Sequence, residues 1–131
     1  MKYLLLLFTI MIVVGCKRQS TNDAATCYEY WAGEKPTTEV QVIHGLYGPT
    51  SHWTKDYTIY LQLNASSRWC SEMMRKNYLI PATEYTIPDD APSWFRPGKK
   101  CRIWKPSGLD QSSFYLNDLE SGNIFIYEVA L

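Results

Sequence analysis

The sequence predicts an α+β domain: an antiparallel sheet of about five strands with one short helix packed on one face. Three observations carry this prediction. Residues 57–63 (YTIYLQL) alternate strictly, with Tyr57, Ile59, Leu61 and Leu63 on one side and Thr58, Tyr60 and Gln62 on the other. Within residues 67–77 the apolar side chains Trp69, Cys70, Met73 and Met74 fall at i, i+1, i+4 and i+5, one stripe of a helix. Residues 112–116 and 124–131 (SSFYL and IFIYEVAL) flank a turn-forming run and read as a hairpin.

The elements follow in order. Residues 38–46 alternate, with Val40, Val42 and His44 assigned to one face, before Gly45, Gly48 and Pro49 mark a loop. After the strand at 57–63, residues 64–67 (NASS) break the pattern and offer a helix N-cap. Arg68, Glu72, Arg75 and Lys76 take the helix's polar side, and Arg75 and Lys76 suit the negative end of its dipole. Asn77 is the expected left-handed terminator. About three turns of helix need the sheet for stability. Residues 78–98 hold Pro81, Pro88, Pro92 and Pro97 and read as extended chain, with a short strand at 85–87. Residues 100–105 (KCRIWK) form a strand with Cys101 and Ile103 on one face and Lys100, Arg102 and Trp104 on the other. The expected order is β-β-α-(β)-β-β-β, with one sheet face covered.

The chain has 131 residues, enough for one domain. An aromatic content of 15% argues against disorder. Thirteen basic and 13 acidic side chains balance, which argues against a dedicated nucleic-acid binder.

Met1-Lys2-Tyr3 precedes an apolar run from Leu4 to Val14, followed at once by Lys17-Arg18. The run is shorter than the roughly 20 residues that span a bilayer and fits a secretory signal peptide. Its end, Val13-Val14-Gly15-Cys16, resembles the lipobox of bacterial prolipoproteins. That resemblance covers residues 1–16. It implies cleavage before Cys16, lipidation of Cys16 and acylation of its new amino group, so that several acyl chains hold the protein on a membrane. With Lys rather than Asp at position 17, it further implies the outer membrane, facing the periplasm, in a Gram-negative host. The expected organisation is a signal peptide at 1–15, a lipidated cysteine and flexible tether at 16–26, and a single α+β domain at 27–131.

Cys27, Cys70 and Cys101 remain beyond the lipobox, an odd number in an export compartment that permits disulfides. Cys70 on the helical stripe and Cys101 on the inward strand face form the favoured pair. Cys27 with either partner, or buried free thiols, are the alternatives. A Cys–His hydrolase would draw on His44 or His52, and no catalytic signature surrounds either. No HxH, CxxC or HExxH spacing marks a metal site, Asp89-Asp90 lacks the pattern of a calcium loop, and no cofactor motif is present.

Residues 94–105 (WFRPGKKCRIWK) interleave aromatics with bases and contain no acid. Trp94, Arg96, Lys100, Arg102 and Trp104 are therefore a candidate patch for an acidic protein or an anionic envelope partner. The bland alternative is a solvated strand face, with Trp94 and Phe95 anchoring the core. Tyr28, Tyr30 and Trp31 are expected either at a membrane interface or capping the sheet.

These readings converge on a membrane-anchored lipoprotein with a small non-catalytic domain that binds a protein or envelope partner, of inhibitor or immunity type. In size and placement it resembles lysozyme inhibitors and toxin-immunity lipoproteins, without their motifs. A structural component of an envelope complex is the second expectation, and the Cys–His hydrolase the third.

Overall fold

The structure, a computed structural model, describes residues 20–49, 57–108 and 112–130. Helix α1 (Ala24–Ala32) precedes strands β1 (Val40–Pro49) and β2 (Tyr57–Ala65). Helix α2 (Ser67–Lys76) then leads to β3 (Leu79–Ala82), β4 (Cys101–Pro106), β5 (Phe114–Asp118) and β6 (Ile124–Ala130). The sheet order is β1-β2-β6-β5-β4-β3, and every pairing is antiparallel. The chain lays down a hairpin, crosses by α2 to the far edge, and meanders back until β6 pairs with β2. The α+β class stands, with one more strand and one more helix among the described residues than expected.

The added helix overturns the expected flexible tether at 16–26 over its described part. Asp23 is the N-cap: its carboxylate accepts from the Thr26 N–H at 2.9 Å and from the Thr26 hydroxyl. Gly33 ends the helix in the left-handed region, and its N–H donates to Glu29 O. Thr21 exchanges two backbone hydrogen bonds with Tyr47, at 2.9 and 2.8 Å, and so pairs with the outer edge of β1. The boundary expected at Cys27 thus falls inside a helix, on a residue that is fully buried. Residues 1–19, including the expected signal peptide and Cys16, lie outside the described residues.

Strand β1 departs from simple alternation. Val42 pairs with Leu63 and His44 with Gln62, which leaves Ile43 as an extra residue, a β-bulge. The bulge inverts the side-chain parity. Val40, Val42 and Tyr47 belong to the core under the helices, whereas Leu46 packs in the core on the opposite face. His44 goes with Leu46 and stacks on Trp94, with ring centroids 4.9 Å apart and planes at 19°. It does not share a face with Val40 and Val42. Gly45 points at α1, and a Cβ there would lie 2.6 Å from Cys27 Cβ. Gly45→Ala is expected to destabilise the domain by about 1–3 kcal/mol through overpacking. Urea unfolding checks this; an unchanged midpoint would mean that α1 does not approach β1 this closely.

Helix α2 starts as expected. Ser66 is the N-cap, accepting from the Trp69 N–H at 3.2 Å, and its hydroxyl donates to Glu39. The end differs from expectation. Asn77 is not left-handed; its side-chain amide donates to Met73 O at 2.8 Å, and Tyr78 takes the positive φ of 51°. The strand expected at 85–87 is instead β3, at Leu79–Ala82. It is a short edge strand blunted by Pro81.

Both faces of the sheet are covered, where one was expected. The two helices cover Leu61, Leu63, Tyr115, Ile124 and Ile126. Residues 83–98 form a proline-rich strap over Tyr60, Phe114, Leu116 and Phe125. Prolines suit a strap, because they fix an extended backbone and have no N–H to leave unpaired. Short turns fold it, with Ala91 N–H donating to Pro88 O and Phe95 N–H to Pro92 O. The Tyr60 hydroxyl donates to Asp90 at 3.0 Å and ties the strap to the sheet centre. Burial, with that bond to Asp90, pushes the Tyr60 phenol far up and keeps it protonated. A second apolar layer accounts for much of the aromatic surplus in the sequence.

Candidate functional site

Helices α1 and α2 meet on one face of the sheet, and a groove of about 280 Å³ opens between the end of α1 and α2. Its floor is aromatic. Tyr28 and Trp31 lie on α1 and Trp69 on α2, with ring centroids 5.8 Å (Tyr28–Trp31), 6.4 Å (Tyr28–Trp69) and 6.1 Å (Trp31–Trp69) apart. Tyr28 is buried, while Trp31 and Trp69 are half-buried. Helical spacing sets this arrangement, since Tyr28 and Trp31 are three residues apart and share a face. The Trp31 indole N–H donates to Glu128 on β6 at 2.9 Å, and Glu128 also accepts from the Tyr115 hydroxyl. A strand carboxylate thereby fixes the ring on the helix.

The rim is acidic. Glu34, Glu39 and Glu72 line the groove with a single base, Lys76. Glu39 takes one hydrogen bond from Ser66 at 3.2 Å, and Glu72 stands 3.6 Å from Arg68. Burial pushes the Tyr28 phenol up; a hydrogen bond from Trp69 opposes this, and the charge of Glu34 adds to it.

The groove extends along the domain: Trp31 is held through Glu128 at the level of Tyr47, and the rim reaches Glu39 beyond the other end of β1. Thr21 is paired beside Tyr47, whereas Glu39 precedes Val40 at the other end of β1 and receives the Ser66 N–H. Seven strand residues separate those ends, roughly 20 Å at about 3.3 Å per residue.

The expected basic-aromatic patch is not one surface. Trp94 sits in the strap, stacked on His44, and Phe95 beside it is a core residue. Arg96 and Lys100 are exposed. Arg102 and Trp104 lie on the opposite, helix-side face, in a small cleft with Cys70, Met73 and Met74. The sheet separates the two halves, since a strap and a strand contiguous in sequence run over different faces. The strand parity itself is as expected, with Cys101 and Ile103 on the strap side and Trp104 on the other.

The same parity separates the favoured disulfide partners. Cys70 packs in the helix-side core and Cys101 in the strap-side core, and Cys27, Cys70 and Cys101 are free thiols. The Cys101 thiol donates to Gly98 O. Burial pushes Cys27 up to about 11, helped by the charge of Asp23. Burial also raises Cys70, and raises Cys101 together with Asp118 and Glu120. A nucleophilic thiol needs the opposite shift. Of the two histidines, His44 stacks on Trp94 and His52 lies outside the described residues. Among the described residues no three His, Cys, Asp or Glu side chains are placed to hold a metal ion.

Sequence reasoning noticed Tyr28, Tyr30 and Trp31 but missed the groove. Cys27, Tyr28 and Trp31 at i, i+1 and i+4 repeat the stripe of α2, with Asp23 before and Gly33 after as cap signals. Those marks could have found the helix. No protein-family model matches the chain, and neither curated proteins nor solved structures give a match.

Proposed function

We propose that this chain is a lipid-anchored protein of the bacterial envelope whose α+β domain binds a protein partner through the groove between α1 and α2. The observation that carries the reading is the aromatic-floored, acid-rimmed concavity between α1 and α2. A lipid on Cys16 would leave four residues to reach Ser20, at most about 14 Å of chain. The domain would then sit close to the membrane. Half-buried tryptophans in a pocket are the residue type that dominates interface energetics.

The anchor is tested by Cys16→Ser in the full chain. Labelled fatty acid should no longer be incorporated, and the protein should leave the membrane fraction. Retained label would overturn the anchor. The binding reading is tested in whole cells with a photo-reactive residue at Ala32 in the groove, compared with Thr83 beyond β3. A defined protein captured from Ala32 and not from Thr83 supports it. Equal capture at both positions, or none from Ala32, overturns it.

A further inference from the structure

We infer that the groove receives a lysine or arginine side chain presented by the protein partner, a refinement that rests on the binding reading above. The floor and the rim point to the same chemistry by independent routes. The ring faces of the half-buried Trp31 and Trp69 carry negative potential and attract a cation held within about 6 Å. Their apolar surface also accepts the methylene stem of such a side chain. Around them stand Glu34, Glu39 and Glu72 against Lys76 alone. This imbalance is local, because the whole chain carries 13 bases and 13 acids.

The carboxylates retain capacity for a ligand. Glu39 accepts from a neutral hydroxyl, and Glu72 is 3.6 Å from an Arg68 that is largely solvent-exposed. Such surface pairs hold their partners weakly. An anionic ligand would meet three like charges against the single base Lys76. A purely apolar one would bury those charges without compensation. The volume, about 280 Å³, lies just below the range of about 300–1,000 Å³ typical of small-molecule pockets. It suits one long side chain entering from a protein surface. Arginine meets both halves of the site, stacking on an aromatic ring while its fork meets a carboxylate.

The test uses the full-length protein extracted in detergent, with tryptophan fluorescence and indole N–H resonances as readouts. The probes are a glycine–arginine repeat peptide, its lysine counterpart, and its citrulline counterpart, which keeps the shape of arginine without the charge. The arginine and lysine peptides should bind saturably, and more weakly as salt rises. The citrulline peptide should bind about tenfold more weakly or worse. The E34Q/E39Q/E72Q variant should lose most of the difference, and Trp69→Leu should weaken the charged peptides about threefold to tenfold. Glu84→Gln, outside the groove, should change nothing.

Equal binding of citrulline and arginine, full binding by E34Q/E39Q/E72Q, or no binding of either cationic peptide would overturn the inference. Capture from Ala32 separates the two levels. If it persists after any of those results, the cation assignment alone falls. If Ala32 captures nothing, the binding reading falls beneath it.

Discussion

Phe95→Ala is expected to lower stability by about 3–5 kcal/mol, a large share of the roughly 5–15 kcal/mol that holds a domain together. Phe95 is 2% exposed and is the strap's deepest side chain. Its ring lies 5.0 Å from Tyr60 and 5.4 Å from Phe125, edge to face in both cases, and 6.2 Å from Phe114. Those three belong to β2, β6 and β5, so one ring binds the strap to the middle of the sheet. Truncation removes the transfer free energy of the ring and leaves a cavity that rigid strands cannot close. Urea unfolding of the variant should show a lower midpoint, and hydrogen exchange should speed first along the strap. Arg96→Ala, one residue on and exposed, should stay within about 0.5 kcal/mol of wild type. Below its melting point Phe95→Ala should keep the groove, which lies on the other face. A loss under about 1 kcal/mol would mean that the strap is not a structural layer.

Asp118→Asn is expected to cost about 1–3 kcal/mol and to alter the acid limb of the stability curve. Asp118 closes β5 and is 5% exposed. One carboxylate oxygen accepts from the Gly98 N–H at 2.9 Å, and the other accepts from Glu120 N–H at 2.9 Å and Ser121 N–H at 3.4 Å. The side chain thus joins the end of the strap to the β5–β6 turn. An amide offers one acceptor and would turn its own N–H₂ toward a donor. Gly98 must remain glycine for the same contact, since a Cβ would lie 2.9 Å from the carboxylate. Burial raises the Asp118 carboxyl, but the three backbone donors outweigh it and hold the group below the ordinary carboxylate range.

The sign of the pH effect follows. A depressed carboxyl stabilises the fold fully above its unfolded value, near pH 4, and loses that contribution as pH falls through the folded value. Wild type and Asp118→Asn should therefore differ most at neutral pH and converge in acid. Urea midpoints across pH 2–7 check this; curves that remain parallel into acid would remove Asp118 from the account.

How far each feature was legible depended on the distance over which its cause acts. Period two in residues 57–63, the stripe of α2 and the Ser66 cap depend on neighbours within a few residues, and they appear as expected. Helix α1 obeyed the same local rules, but its caps went unread beside an expected tether. The bulge at Ile43 has no local mark. It exists because β1 must present Val40 and Val42 to the helices, and then Leu46 and His44 to the strap, along one run of pairs with β2.

The sequence by itself determined the α+β class, the parity of β4 and the position of α2. Each follows from short-range sterics, capping or composition. Tertiary structure decided which residues meet. It placed Cys70 and Cys101 on opposite sides of the sheet, divided the basic-aromatic run at 94–105 between two faces, and folded the prolines of 83–98 over a second core. It also brought Trp31 and Trp69, thirty-eight positions apart, within 6.1 Å of each other. The physical reason is that a sheet sorts side chains by pairing register and by what packs above and below it, and neither is encoded in any single segment.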